Sequence, residues 1–203
     1  MKTEHALAVT LKDMMAHQPI DTISVLELSK KCDISRKTFY YHYHDIYDLL
    51  TQVFLEERIQ GAANAEDYRA LIECVFNYYK HNEAFINATI NSSGKELFYE
   101  FIYNVFYTAG LRFISRLDNE KKLSLATRKS IARFYAYGYG NSTVYYLSNY
   151  RNKTLVGLLN SFNFIEPKNF EKNVQKAIKS AENVWKILNF ALQQKFTSAT
   201  IGN

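Results

Sequence analysis

The stretch Ser24–Leu50, SVLELSKKCDISRKTFYYHYHDIYDLL, restricts the chain more than any other part of it. It reads as two short helices joined by a tight turn and followed by the start of a longer helix. Ser24 with Glu27 three residues on forms a capping box. Val25, Leu28 and Cys32 give the first helix an apolar face. Asp33-Ile34-Ser35 is the turn, and Asp tolerates the left-handed backbone that such a turn often needs. Ser35 is a second N-cap and opens Arg36-Lys37-Thr38-Phe39-Tyr40-Tyr41. Ile34 and Phe39 can pack inward, which leaves Arg36, Lys37, Thr38, Tyr40, Tyr41 and His42 facing out. A helix this short and polar contributes little stability. Its first turn instead holds two cations and a hydroxyl at a helix end that favours anions. That combination suits insertion into a DNA major groove.

The flanking sequence continues the helical pattern. Leu7, Leu11, Met14 and Met15 fall on one face of a first helix over residues 3–17, which ends at Pro19. Asp45 caps a fourth helix whose stripe is Ile46, Leu49, Leu50, Val53 and Phe54, expected to run to about Ala62. Gly61-Ala62-Ala63-Asn64-Ala65 is the best boundary between residues 1–60 and residues 61–203. Beyond it, amphipathic helices are expected over 66–80, 81–90, 95–117, 124–150 and 167–195, while residues 151–166 stay unassigned, with room for a short helix at Leu155–Leu159. The prediction is an all-α chain of about nine helices, a three-helix head and a larger helical domain. Two Pro and seven Gly in 203 residues agree with long helices.

Bulk charge says less than the net +5 implies. Residues 1–60 carry a net −2 and residues 61–203 a net +7. The head has only a local basic cluster, Lys30, Lys31, Arg36 and Lys37, with His42 and His44 close by. A few phosphate contacts from such a patch suffice when two copies act together. The start MKTEHALAV lacks the pattern of a signal peptide, and no apolar run is long enough for a membrane span. Cys32 and Cys74 sit on apolar helix faces. A cytoplasmic protein without disulfide or cofactor is expected. His42 and His44 lie about 200° apart around a helix, with no third ligand near, so no metal site is expected. No nucleophile–base set or phosphate loop stands out, so no catalytic residue is assigned and an enzyme is not expected.

Residues 24–49 resemble the DNA-binding segment of the TetR/AcrR family of regulators. That family's pattern is T-x-x-x-I-A-x-x-A-G-V-S-x-x-T-x-Y-x-Y-F-x-x-K-x-x-L. Ser24, Leu28-Ser29, Cys32-Asp33-Ile34-Ser35, Thr38, Tyr40, His42, Tyr43 and Leu49 fill the corresponding places. Asp33 stands for the turn Gly. Ile46 stands where the family has a phosphate-touching Lys. The variant RKTFYYHY followed by DIYDLL is similar to the subgroup that includes the dihydroxyacetone-kinase-operon regulator. The resemblance implies that Ser24, Ser35, Arg36, Lys37, Thr38, Tyr40, Tyr41 and His42 contact double-stranded DNA at a palindromic operator. Arg36 and Lys37 are the candidates for base edges, with Tyr40 matching a phosphate-contacting position.

Two features of residues 61–203 stay open on sequence alone. Val174, Ile178, Ala181, Trp185, Leu188 and Leu192 repeat with heptad-like spacing. They form either a seam against the chain's own core or a homodimer interface, and the family resemblance implies the dimer. Rings crowd the helices over 95–117 and 124–150. Tyr103, Tyr107, Phe134 and Tyr137 are candidate walls of a small-molecule pocket, the other reading being tyrosines that reach the surface. The expected function is a sequence-specific transcriptional regulator, by default a repressor released by a small molecule. One alternative is an activator whose C-terminal domain binds a partner protein. The other is a helical interaction module with a vestigial head.

Overall fold

The computed structural model describes residues 2–162 and 167–200, with side chains described over 3–162 and 169–186. These residues form ten α-helices, two short 3-10 turns and no strand. In order the helices are α1 (Lys2–Met15), α2 (Val25–Lys31), α3 (Arg36–His42), α4 (Ile46–Glu56), α5 (Tyr68–His81), α6 (Glu83–Ile90), α7 (Lys95–Leu117), α8 (Leu125–Asn149), α9 (Leu155–Asn160) and α10 (Pro167–Thr200). The count exceeds nine because Leu155–Asn160 is a helix of its own. Thr154 caps it by accepting from the Gly157 amide at 3.0 Å. The Tyr146 hydroxyl holds the entry by donating to the Thr154 carbonyl and accepting from its amide. A Cβ at position 157 would lie 2.2 Å from that hydroxyl, so glycine is required there.

Helices α1–α3 make the head. Leu7, Leu11 and Met15 of α1 are buried over Leu28 of α2 and Phe39 of α3. Helix α4 leaves the head and packs on α7. Its N-cap is reciprocal: Asp45 accepts from the Asp48 amide at 2.8 Å, and Asp48 accepts from the His44 amide at 2.9 Å. The helix ends at Glu56, earlier than expected, because Ile59 turns inward and is buried. Gly61, at φ +81°, then reverses the chain into a 3-10 turn over Ala62–Asn64.

Between α5, α7 and α8 the interior is filled with rings. Tyr68 lies at its centre, stacked on Tyr139 at 4.4 Å and edge-on to Phe113 and Phe170 at 5.1 and 5.0 Å. Helices α7 and α8 form the longest packed pair, and α8 is unbroken through Gly138 and Gly140. The turn between them is fixed by Asp118, which is buried. Its carboxylate accepts from the amides of Lys122 and Leu123 at 2.8 and 3.0 Å and from Arg128 Nη2 at 2.7 Å. Among the described residues no helix is long and apolar enough to cross a membrane.

Candidate nucleic-acid interface

The α2–turn–α3 unit takes the predicted form. Ser24 accepts from the Glu27 amide at 3.1 Å. The reciprocal half of the capping box is replaced by a tertiary contact, since Glu27 Oε1 accepts from Gln18 Nε2 at 3.4 Å. Asp33 adopts φ +53°, the left-handed conformation anticipated at that turn. Ser35 accepts from the Thr38 amide at 3.0 Å, and the two hydroxyls lie 2.9 Å apart. Phe39 is fully buried and anchors α3 to the head.

That anchor aims the rest of α3. Arg36 and Lys37 are exposed, Tyr40 is half exposed, and Tyr41 stands 84 % in solvent. The Arg36 guanidinium lies 5.9 Å from the Tyr40 ring centre, one turn away, so cation and ring form a single outward ledge. Thr38 and His42 are only partly exposed. The Thr38 hydroxyl faces the Ser35 cap, and His42 Nδ1 lies 3.4 Å from Glu4 Oε1 on α1. Of the eight candidates, Arg36, Lys37, Tyr40 and Tyr41 are therefore the fully presented ones. Ser24, Ser35, Thr38 and His42 also serve the head's own structure.

Several contacts fix how α1–α3 sit against α4 and the rest of the chain. Lys12 Nζ of α1 pairs with Glu57, just past α4, at 2.5 Å. Asp21 accepts from the Tyr47 hydroxyl at 2.5 Å and from the Ser93 amide at 3.3 Å, which joins head, α4 and the loop before α7. Those donors hold the Asp21 carboxyl below the usual range, Tyr47 contributing most. Gly94 makes room for Leu50, whose Cδ2 would lie 2.9 Å from a Cβ at that position.

A cavity of about 480 Å³ opens between the end of α4, the connector and one face of α7. Tyr103, Tyr107, Phe134 and Tyr137, expected as pocket walls, do not line it. Tyr103 stacks on Tyr107 at 5.8 Å and meets Tyr137 at 4.8 Å, while Phe134 is 74 % exposed. Phe134 and Tyr137 belong to the outer surface of α8, while Tyr103 and Tyr107 are partly buried against the core. Sequence reasoning missed the cavity because its walls come from segments some forty residues apart, each of which reads as ordinary apolar helix.

The heptad-like seam of α10 divides. Val174 and Ile178 are buried within the chain, and Ala181 is partly covered by it. Val174 and Ile178 thus pack on the chain's own core, while Ala181 keeps part of its surface open. Trp185 is 66 % exposed, with Val184 beside it. The Leu188 and Leu192 side chains lie outside the described residues.

Residues 66–163 match the family described as the transcriptional regulator C-terminal region, TetR_C_8. Among solved structures, the "Dihydroxyacetone kinase operon activator DhaS" is similar, with a TM-score of 0.52 and 19% identity over 91% of this chain and 97% of that one. At that identity the likeness concerns the fold. No curated protein matches the chain in sequence.

Proposed function

Given that this chain is a TetR-family transcriptional regulator, we propose that it reads double-stranded DNA with α3 and works as a homodimer on a palindromic operator. Residues 1–60 are the reading head, and residues 61–203 pair the copies and receive the signal. The observation that carries this is the α3 ledge. Arg36, Lys37, Tyr40 and Tyr41 project together from a helix held by one buried ring, Phe39. Arg36 and Lys37 supply base-edge or phosphate contacts, and the Tyr40 and Tyr41 hydroxyls suit phosphates. A bidentate Arg–guanine pair discriminates by about 1–3 kcal/mol, so two heads reading together give useful specificity.

Pairing is supported by the outer face of α8. Phe134, Tyr137, Gly138, Asn141 and Tyr145 recur at helical spacing and look outward. Val184 and Trp185 of α10 are exposed as well, and apolar surface of this kind calls for a partner. In the simplest mode the dimer occludes a promoter, and an effector releases it. The name of the structural relative, an operon activator, favours a second mode in which the bound dimer activates.

The test is fluorescence anisotropy with the DNA upstream of the protein's own gene, against a scrambled duplex at equal salt. The wild type is expected to prefer the first duplex. The Arg36→Ala/Tyr40→Ala variant is expected to keep its fold and lose about 2–4 kcal/mol of operator affinity. Equal binding of both duplexes, lost steeply with salt, would reduce the head to phosphate attraction. Transcription in vitro from the same promoter separates repression from activation by the sign of the change.

A further inference from the structure

We propose that the groove between α4, the connector and α7 binds an amphipathic organic anion, a carboxylate or sulfonate carried on an apolar body. Its regulatory consequence rests on the DNA-binding reading above; the binding itself does not. The groove offers about 480 Å³, within the range of small-molecule sites. Phe54 and Leu55 of α4, Ile59 of the connector and Leu97, Phe101 and Val105 of α7 make apolar walls.

The charge in the groove determines the class of ligand. Arg58 and Arg112 both line it. Among the described residues neither pairs with a carboxylate. Arg58 Nη1 donates to the carbonyls of Leu55 and Glu57 at 2.8 and 2.9 Å. Arg112 Nη2 donates to those of Ala62 and Ala65 at 2.8 and 3.1 Å. Of the two acids in the lining, Glu57 is neutralised by Lys12 at 2.5 Å, and Glu100, like Arg58, is exposed, which leaves the partly buried Arg112 as the inner charge. Partial burial, with Arg116 close by, lowers the Arg112 pKa, as expected of a cation short of counter-charge. An anionic head supplies that charge while its apolar body covers the walls. Thr108 and Asn104 add neutral donors along α7.

The same groove touches the head. Helix α4 forms one wall, and its other end follows directly on α3. An anion at Arg58 stands beside the Glu57 carboxylate that holds Lys12 of α1. Occupancy therefore bears on how the reading helix is carried.

The experiment titrates the full chain with anilinonaphthalene sulfonate and then displaces the dye with decanoate or with 1-decanol. One saturable site per chain is expected, with decanoate displacing about tenfold better than the alcohol, the margin of a charge-assisted bond. Arg58→Gln is expected to erase that preference. Thr108→Trp, which fills the groove from an exposed position, is expected to abolish the site, while Phe134→Ala on the far surface leaves it intact. If Thr108→Trp loses helix content by circular dichroism, Asn104→Trp replaces it. Equal displacement by the alcohol, or dye binding unchanged in the filled variant, overturns the proposal. Operator anisotropy with and without decanoate is read separately. Anion uptake by a chain that binds no operator sinks the regulator reading alone. Operator binding without anion uptake sinks the groove site alone. Uptake that leaves operator affinity unchanged refutes the coupling.

Discussion

At the scale of single residues, the Tyr68 hydroxyl shows how tightly the interior is set. Tyr68 is buried, and its hydroxyl has no hydrogen-bond partner among the described residues. Burial drives its pKa far above the usual tyrosine value. The oxygen lies over Gly110 of α7, where an added Cβ would sit 2.5 Å away. Tyr68→Phe keeps the ring stack and removes an uncompensated polar group. It is expected to be neutral or to stabilise by up to about 1 kcal/mol, read as the urea midpoint. Gly110→Ala is expected to cost about 1–3 kcal/mol through overpacking, and clearly less in the Tyr68→Phe background. Equal costs in both backgrounds would show that the hydroxyl is not what excludes the side chain. Local chemistry of this kind is partly legible in sequence. The caps at Ser24, Ser35 and Asp45 and the left-handed Asp33 follow from residue type and spacing. Which tyrosines are buried does not, because Tyr68 and Tyr137 both occupy helical positions among apolar neighbours, and only packing separates them.

At the scale of elements, two carboxylates hold junctions. Asp118 closes the α7–α8 turn with two amides and Arg128, its side chain 1 % and that of Arg128 15 % exposed. Asp118→Ala is expected to destabilise by about 3–5 kcal/mol, since it strands a partly buried guanidinium and two amides. Chemical denaturation checks this, and a loss under 1 kcal/mol would make the turn a passenger. Asp21 acts at the other junction, between head and body. Its folded pKa is depressed, so its contribution is present above the unfolded carboxyl value and is lost as pH falls through the folded one. The protection of the amides at the start of α7 against hydrogen exchange, taken relative to their intrinsic rates, is expected to fall in that acid window, and Asp21→Asn is expected to lower it already at neutral pH. Neither junction is visible in the sequence, where residues 118–122 read as a polar linker and Asp21 as part of the stretch that ends the first helix. The early end of α4 escaped for the same reason. Nothing in the residues after Glu56 forbids helix, and what accompanies its end is tertiary: burial of Ile59, the Arg58 bonds to the Leu55 and Glu57 carbonyls and the Arg112 bonds to the connector carbonyls.

At the scale of the whole molecule, the question is which surface meets the second copy. The heptad-like spacing of α10 pointed to Val174 and Ile178, but apolar spacing cannot tell an inward seam from an outward one, and these two face the core. Open besides the exposed Val184 and Trp185 of α10 is the outer face of α8, with Phe134 and Tyr145 at 74 and 60 % exposure on either side of Gly138. A Cβ at Gly138 would meet nothing within 4 Å in the single chain. Gly138→Leu therefore tests pairing without touching the fold. In the monomer it is expected to be harmless, and even to gain about 0.5–1 kcal/mol from helix propensity. If two copies close face to face across α8, the same side chain holds the helices apart. Sedimentation is then expected to show dissociation at concentrations where the wild type is paired. Operator affinity is expected to fall with it, because one head alone makes half the contacts. A variant that stays dimeric and binds the operator normally would move the interface off α8. One that is monomeric yet still binds tightly would remove the need for a dimer altogether. The two measurements together thus separate where the copies meet from whether meeting matters for reading DNA.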